Sequence, residues 1–281
     1  MSMLNLCIIG LGQIGGSLGL ALKKNKAPYH ITGIVRRTES AEIALKLGIV
    51  DEVYLNLKYV KNSDIIVICT PVDMILYLYK KIYSIVDNNK DVIITDVGSV
   101  KYSIEKKIKN FMVKKNKSIS FVGTHPMIGK ENNGIFSADA DMFKNANVVI
   151  TGVCKKMTKK EILIFKMWKY VGANVFKMSS QKHDKLVAFT SHLPHVVAFL
   201  LKKMYKKIKK KDLQISMLVS SSFKSATRVA VSGSNVWAPI FKLNGKNIEK
   251  YLFEFINELN NFKQILNDKK KIETEILSIQ K

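Results

Sequence analysis

The run Gly10-Leu11-Gly12-Gln13-Ile14-Gly15 follows an apolar stretch, Leu4 to Ile9, and opens a helical pattern. In that setting a glycine triad binds a dinucleotide. The first glycine permits the turn, the second lets a pyrophosphate approach the backbone, and the third lets helix pack on strand. Gln13 and Ile14 fall in the first helical turn, whose free N–H groups face the phosphates. About 20 residues further on, an acidic side chain usually accepts hydrogen bonds from the adenosine ribose, whereas arginine suits a 2′-phosphate. Here Val35 holds the acidic position, and Arg36 and Arg37 follow it. They are two of only three arginines among 46 basic residues. A guanidinium fork grips phosphate in a way an ammonium does not, so the expected cofactor is NADP in preference to NAD.

Further polar residues cluster just after later apolar runs, in Thr70-Pro71-Val72, Asp96-Val97-Gly98-Ser99-Val100-Lys101 and Gly123-Thr124-His125-Pro126-Met127. Ligands of open parallel sheets bind at the carboxyl edge, so Thr70, Pro71, Asp96 and Ser99 are expected to line the cofactor. Apart from His30, the five histidines fall in compact polar clusters: His125, His183-Asp184 and Ser191-His192-Leu193-Pro194-His195. A neutral imidazole is a general base near neutrality. A zinc site from His183, His192 and His195 has no matching cysteine set, so no metal is expected.

Positioning these groups requires a sheet. Near-continuous apolar runs at Leu4–Ile9, Ile31–Val35, Ile65–Cys69, Val92–Thr95, Ser120–Val122, Val148–Thr151 and Asn174–Met178 alternate with helical patterns, as in a parallel sheet covered on both faces. Thr158 and Glu161 form a capping-box pattern before a helix that Gly172 ends. Beyond Met178 the signal is helical. Ser180 to Lys211 reads as one long helix kinked at Pro194, and Leu213 to Val231 as a second. Ile248, Leu252, Phe255, Leu259, Phe262 and Leu266 then recur at helical spacing, an apolar stripe that a twin chain would bury. The expected class is α/β, with a Rossmann-type dinucleotide-binding domain at 1–178 and an all-helical substrate-binding and dimerisation domain at 179–281.

Composition narrows the partners. The chain has 281 residues and a formal charge of +24. Its basic excess is mostly lysine scattered over helical faces, the pattern of a solvated surface and not of a nucleic-acid stripe. Cys7, Cys69 and Cys154 lie in or beside apolar runs, which implies buried, reduced thiols and a cytoplasmic protein. No apolar stretch reaches membrane-spanning length, so no membrane association is expected.

Taken together, the segments resemble the prephenate/arogenate dehydrogenases of tyrosine biosynthesis. The matching pieces are Gly10 to Leu18, Asp96 to Lys101, Gly123 to Met127, His183-Asp184, Ser191 to His195, Thr227-Arg228-Val229-Ala230, and Trp237 with Ile240-Phe241. The resemblance implies hydride removal from the ring alcohol of prephenate, loss of the ring carboxylate as carbon dioxide, and an aromatic product. It implies that His125 is the catalytic base and that Ser99 holds the alcohol and the nicotinamide end. Arg228 then binds a substrate carboxylate, with His195 and Trp237 also at the substrate and His192 in helix packing. An ammonium substrate, arogenate, should favour a carboxylate partner; only Asp184 is a candidate, so prephenate is the first expectation and arogenate the alternative. The loop Ser232 to Pro239 lacks acidic residues common in relatives. No fused mutase or C-terminal regulatory domain is expected. Two further readings remain: another imine or hydroxyacid oxidoreductase, and a nucleotide- or nucleic-acid-binding protein that is not an enzyme.

Overall fold

The computed structural model describes residues 3–87, 90–113, 115, 117–128, 134–152 and 156–280; Cys154 lies outside them. The strands are β1 (Leu4–Ile9), β2 (Tyr29–Ile34), β3 (Glu52–Tyr54), β4 (Ile65–Ile68), β5 (Val92–Asp96), β6 (Ile119–Pro126), β7 (Asn147–Thr151) and β8 (Asn174–Met178). The helices are α1 (Gln13–Lys24), α2 (Thr38–Lys46), α3 (Ile75–Ile85), α4 (Tyr102–Met112), α5 (Lys159–Tyr170) and α6 (Ser180–Val187). They continue as α7 (Leu193–Lys209), α8 (Ser221–Thr227), α9 (Ser234–Leu243), α10 (Gly245–Ile265) and α11 (Lys269–Gln280).

The strands form one sheet in the order β3-β2-β1-β4-β5-β6-β7-β8. The expected parallel sheet needs one correction, because β7 runs antiparallel to β6. The connection between them carries only a short 3-10 turn at Ile135–Ser137 among its described residues, not the crossover helix a parallel neighbour needs. β3 was not expected either: its three residues are too few and too exposed to print an apolar run. Successive residues of β1 feed opposite cores, Leu6 and Ile8 on one face, Cys7 and Ile9 on the other. Helices α1 and α5 cover the first face, and α3 and α4 the second, through side chains such as Leu18, Trp168, Tyr79 and Ile104. That double burial is why the strands read as continuous apolar runs. The Thr158–Glu161 capping box is present, and Gly172, at φ +79°, takes the left-handed turn after α5.

The chain divides into two compact units, Met1–Asp184 with Val231–Leu243, and Lys185–Ala230 with Asn244–Lys281. In the second, the kink expected at Pro194 takes a particular form. A π-helical turn, Ala188–His192, joins α6 to α7, and Pro194 follows it in the first turn of α7, so the ladder widens where the proline supplies no N–H. The single helix expected over Leu213 to Val231 is broken into a 3-10 turn (Leu213–Leu218), α8, and a second 3-10 turn (Arg228–Val231). Val219 and Ser220 are extended between them, with Ser220 at the N-cap position of α8, as serine prefers. On α10, Ile248 is buried whereas Leu259 and Phe262, and Leu266 at the C-cap, are exposed. No helix among the described residues is long and apolar enough to cross a membrane.

Candidate active site

The glycine triad joins β1 to α1. Gly10 has φ +93°, and a Cβ there would lie 2.8 Å from the Cys69 carbonyl oxygen. A Cβ on Gly15 would lie 2.0 Å from the Gly10 carbonyl oxygen, so this glycine permits the close helix–strand packing. Gly12 is different: within 4 Å of its would-be Cβ there is nothing. Gly12 is also the N-cap of α1 and makes no side-chain cap, which leaves the leading N–H groups open to an anion. Two buried polar atoms nearby, Gln13 Nε2 and Thr70 Oγ1, have no hydrogen-bond partner among the described residues. Thr70 adjoins the turn, its Cγ2 being 3.2 Å from the same would-be Cβ of Gly10. An open cradle with unsatisfied buried donors fits a dinucleotide. Ile14 packs against the core, and Pro71 is exposed beside Thr70. At the end of β2 the buried Val35 donates its N–H to the Tyr54 carbonyl at 3.0 Å, and the exposed Arg36 and Arg37 follow.

Asp96 requires a correction. It has no accessible surface, so it cannot meet the cofactor as expected. Its carboxylate pairs with the buried Lys101 ammonium and accepts from Gly98 N at 2.9 Å and Thr124 N at 3.4 Å. Burial pushes this carboxyl up, and the Lys101 charge opposes that. Lys101 Nζ also donates to the Thr124 carbonyl at 2.7 Å, so the pair ties β5 to the strand that carries His125. Ser99 alone within 92–101 retains appreciable exposure. His125 is likewise accessible between buried Thr124 and Pro126.

Behind His125 lies a chain of hydrogen bonds. The backbone N–H groups of Lys101 and Tyr102, at the start of α4, each donate to Asp184 at 2.9 Å. Asp184 Oδ1 is 2.8 Å from His183 Nδ1, and His183 Nε2 is 2.8 Å from His125 Nδ1. Both His183 and Asp184 are buried. A carboxylate held by two N–H donors and a helix N-terminus stays an acceptor, so His183 Nδ1 carries the proton. When His183 is neutral it accepts at Nε2, and His125 then donates from Nδ1 and carries its lone pair on Nε2. The adjacent His183-Asp184 pair was visible in the sequence as a polar cluster, but its link to His125 spans 58 residues and needs the fold.

In the second unit, His195 Nδ1 lies 2.9 Å from the Ser191 carbonyl oxygen. A carbonyl only accepts, so Nδ1 carries the proton and Nε2 the lone pair. Burial holds His195 below the usual histidine range, and the charge of Arg228 acts in the same direction. Arg228 itself is exposed at the start of its 3-10 turn. His192 is buried and accepts from Asn244 Nδ2 at 3.1 Å, in keeping with a packing role. Trp237, on α9, packs in the first unit with its ring 5.4 Å from that of Phe241. Burial pushes the Cys7 thiol up to about 12 and raises that of Cys69 as well, so neither is a nucleophile.

Comparison with known proteins matches residues 18–177 to the nucleotide-binding domain of prephenate dehydrogenase and residues 179–277 to its dimerisation domain. A prephenate dehydrogenase of Lactococcus lactis is 30% identical over 266 residues, 95% of this chain and 70% of that protein. The structure of prephenate dehydrogenase from A. aeolicus with hydroxyphenyl propionate and NAD+ aligns with a TM-score of 0.88 at 30% identity, covering 100% of this chain and 96% of that one. The arogenate dehydrogenase of Synechocystis aligns with a TM-score of 0.80 at 26% identity, covering 98% and 96%.

Proposed function

The chain belongs to the prephenate dehydrogenase family, and from that premise we propose that it converts prephenate to 4-hydroxyphenylpyruvate with NADP as the preferred hydride acceptor. The observation that carries the reading is the Asp184–His183–His125 chain, which leaves a basic Nε2 on an accessible histidine. In this reading residues 1–178 bind the dinucleotide, and residues 179–281 bind substrate and pair two copies into a homodimer. The exposed Leu259 and Phe262 of α10, with Leu266 at its C-cap, support that pairing, since a stripe of this size is unfavourable in water.

His125 Nε2 takes the proton of the ring alcohol as the C–H bond gives up its hydride. The nicotinamide, when bound through the Gly10–Gly15 turn, supplies the acceptor for that hydride. The ring carboxylate then leaves as carbon dioxide, its bonding electrons complete the aromatic ring, and the ring oxygen takes back the proton held on His125 Nε2. His183 and Asp184 stabilise the imidazolium formed on His125, as the orienting carboxylate does in a catalytic triad. Ser99 holds the alcohol oxygen. Arg228 grips a substrate carboxylate through its planar fork, with His195 and Trp237 at the side chain. Arg36 and Arg37 hold the 2′-phosphate.

A second reading, arogenate as substrate, is favoured by His195. Its Nε2 lone pair can accept from an ammonium but cannot donate to a keto oxygen. Four turnover assays, each substrate with each nicotinamide, test both readings. The proposal predicts the highest kcat/KM for prephenate with NADP, and no turnover in any of the four would overturn it.

A further inference from the structure

A groove of about 440 Å³ in the second unit is lined by Phe199, Lys202, Lys203, Lys206, Lys207, Lys210 and Ala230. Five lysines line it without a carboxylate among them, and none of the five has an ion pair among the described residues. Lys202 and Lys206 on α7 and Lys210 at its C-cap are spaced four residues apart, as are Lys203 and Lys207. Like charges at that spacing repel along a helix face. The arrangement therefore favours an anion over a cation or a neutral ligand.

Its position gives the anion a destination. His195 precedes Lys202 by seven residues and Lys206 by eleven, so the three share one face of α7, with Lys202 about 10 Å and Lys206 about 16 Å along the axis. The opposite wall, Ala230, belongs to the 3-10 turn that Arg228 opens. The exposed apolar stripe of α7, Leu200, Met204 and Ile208, lies a third of a turn or more away from Lys202 and Lys206, with Lys203 and Lys207 beside it. A second copy covering that stripe would leave Lys202 and Lys206 open.

We propose that the groove is an anion-capture site that takes a small multivalent anion, and that its occupant is the dicarboxylate substrate before it reaches Arg228. The assignment of the occupant rests on the proposed function; the existence of the site does not. A concave, positively charged surface raises the local concentration of anions and speeds their encounter with a neighbouring site.

The test uses the full chain and inorganic pyrophosphate as the probe in calorimetric titration at low salt. The variant Lys202→Gln/Lys206→Gln/Lys210→Gln should bind pyrophosphate at least about tenfold more weakly than the unmutated protein, because charge-assisted contacts are lost. Relief of repulsion should leave its Tm equal or higher. The control Lys46→Gln/Lys106→Gln/Lys166→Gln, with the same change in net charge, should bind as the unmutated protein does. Equal affinity in groove variant and unmutated protein, or an equal loss in the control, would overturn the site. In turnover, the groove variant should show a severalfold higher KM for the dicarboxylate, unchanged kcat, and a flatter fall of kcat/KM with salt. If the KM for NADP rises instead, the groove receives the cofactor's phosphates and the substrate assignment fails. A duplex-DNA shift at physiological salt that these three substitutions abolish would overturn the small-ligand assignment. If no substrate turns over, the functional reading fails, and the pyrophosphate titration still decides the site.

Discussion

His183 Nε2 lies 2.8 Å from His125 Nδ1, and this contact fixes which nitrogen of His125 can act as a base. The direction of each hydrogen bond follows from one fact at the far end of the chain. Asp184 accepts from two backbone N–H groups and so presents itself to His183 as an acceptor. From there the protons alternate, and the lone pair ends on His125 Nε2.

Asp184→Asn should reverse that order. An amide N–H facing His183 Nδ1 would move the His183 proton to Nε2, and His125 would then carry its own proton on Nε2, the wrong side for a base. Turnover should fall by ~10²–10⁴-fold with little change in KM. His125→Asn should lose as much, and with it the ionisation that limits turnover on the acidic side. An Asp184→Asn enzyme with unchanged kcat, or an acidic limb that survives without His125, would remove the base from this residue.

The Lys101–Asp96 pair gives a stability prediction. Both groups are buried, and Lys101 also holds the Thr124 carbonyl. Lys101→Met should destabilise the fold by about 3–5 kcal/mol, because it strands a buried carboxyl. Lys101→Met/Asp96→Asn should recover part of the loss, as no charge is then left unpaired. Denaturant midpoints of the three proteins measure this; a double variant no better than the single would show that the pair acts only through packing.

These residues mark how far the sequence could be read. The doubly buried strands, the glycine turn and the placement of His125 at a strand's carboxyl end were legible because each depends on local pattern: apolar runs for strands covered on both faces, glycine where a Cβ would clash, a polar residue after an apolar run. Asp96 was misassigned because its position at that edge says nothing about exposure, which depends on a lysine five residues on. The reversal of β7 and the partnership of His183 with His125 depend on how distant segments pack, and no local periodicity carries that. The broken stretch after Leu213 was missed because two extended residues, Val219 and Ser220, do not disturb an apolar pattern.

In the proposed reading, cofactor choice turns on Val35, Arg36 and Arg37. Two charge-assisted contacts to a 2′-phosphate at ~1.5–3 kcal/mol each would favour NADP by roughly 100-fold or more, less whatever solvent screens at these exposed side chains. Arg36→Ala/Arg37→Ala should therefore lose most of the preference while retaining activity with NAD. Equal kcat/KM for NAD and NADP in the unmutated protein would refute the 2′-phosphate reading of the two arginines.

The last prediction concerns His195 and the two substrates. Its proton sits on Nδ1, against the Ser191 carbonyl, so the neutral ring offers Nε2 as an acceptor. Burial, with Arg228 adding to it, depresses its pKa below the ordinary value of 6.5, so the ring is neutral at pH 7 and gains a proton only on further acidification. Protonation turns Nε2 from acceptor into donor. A donor suits the keto oxygen of prephenate and repels the ammonium of arogenate. The ratio of kcat/KM for arogenate to that for prephenate should therefore fall as pH drops below 6.5. In the proposed mechanism His125 serves both substrates alike, so its part in the pH dependence cancels in the ratio. His195→Asn should flatten the dependence, since an amide has no proton to gain. A ratio constant from pH 5 to 8 in the unmutated enzyme would place His195 away from the substrate side chain and leave recognition there to Arg228 and its neighbours.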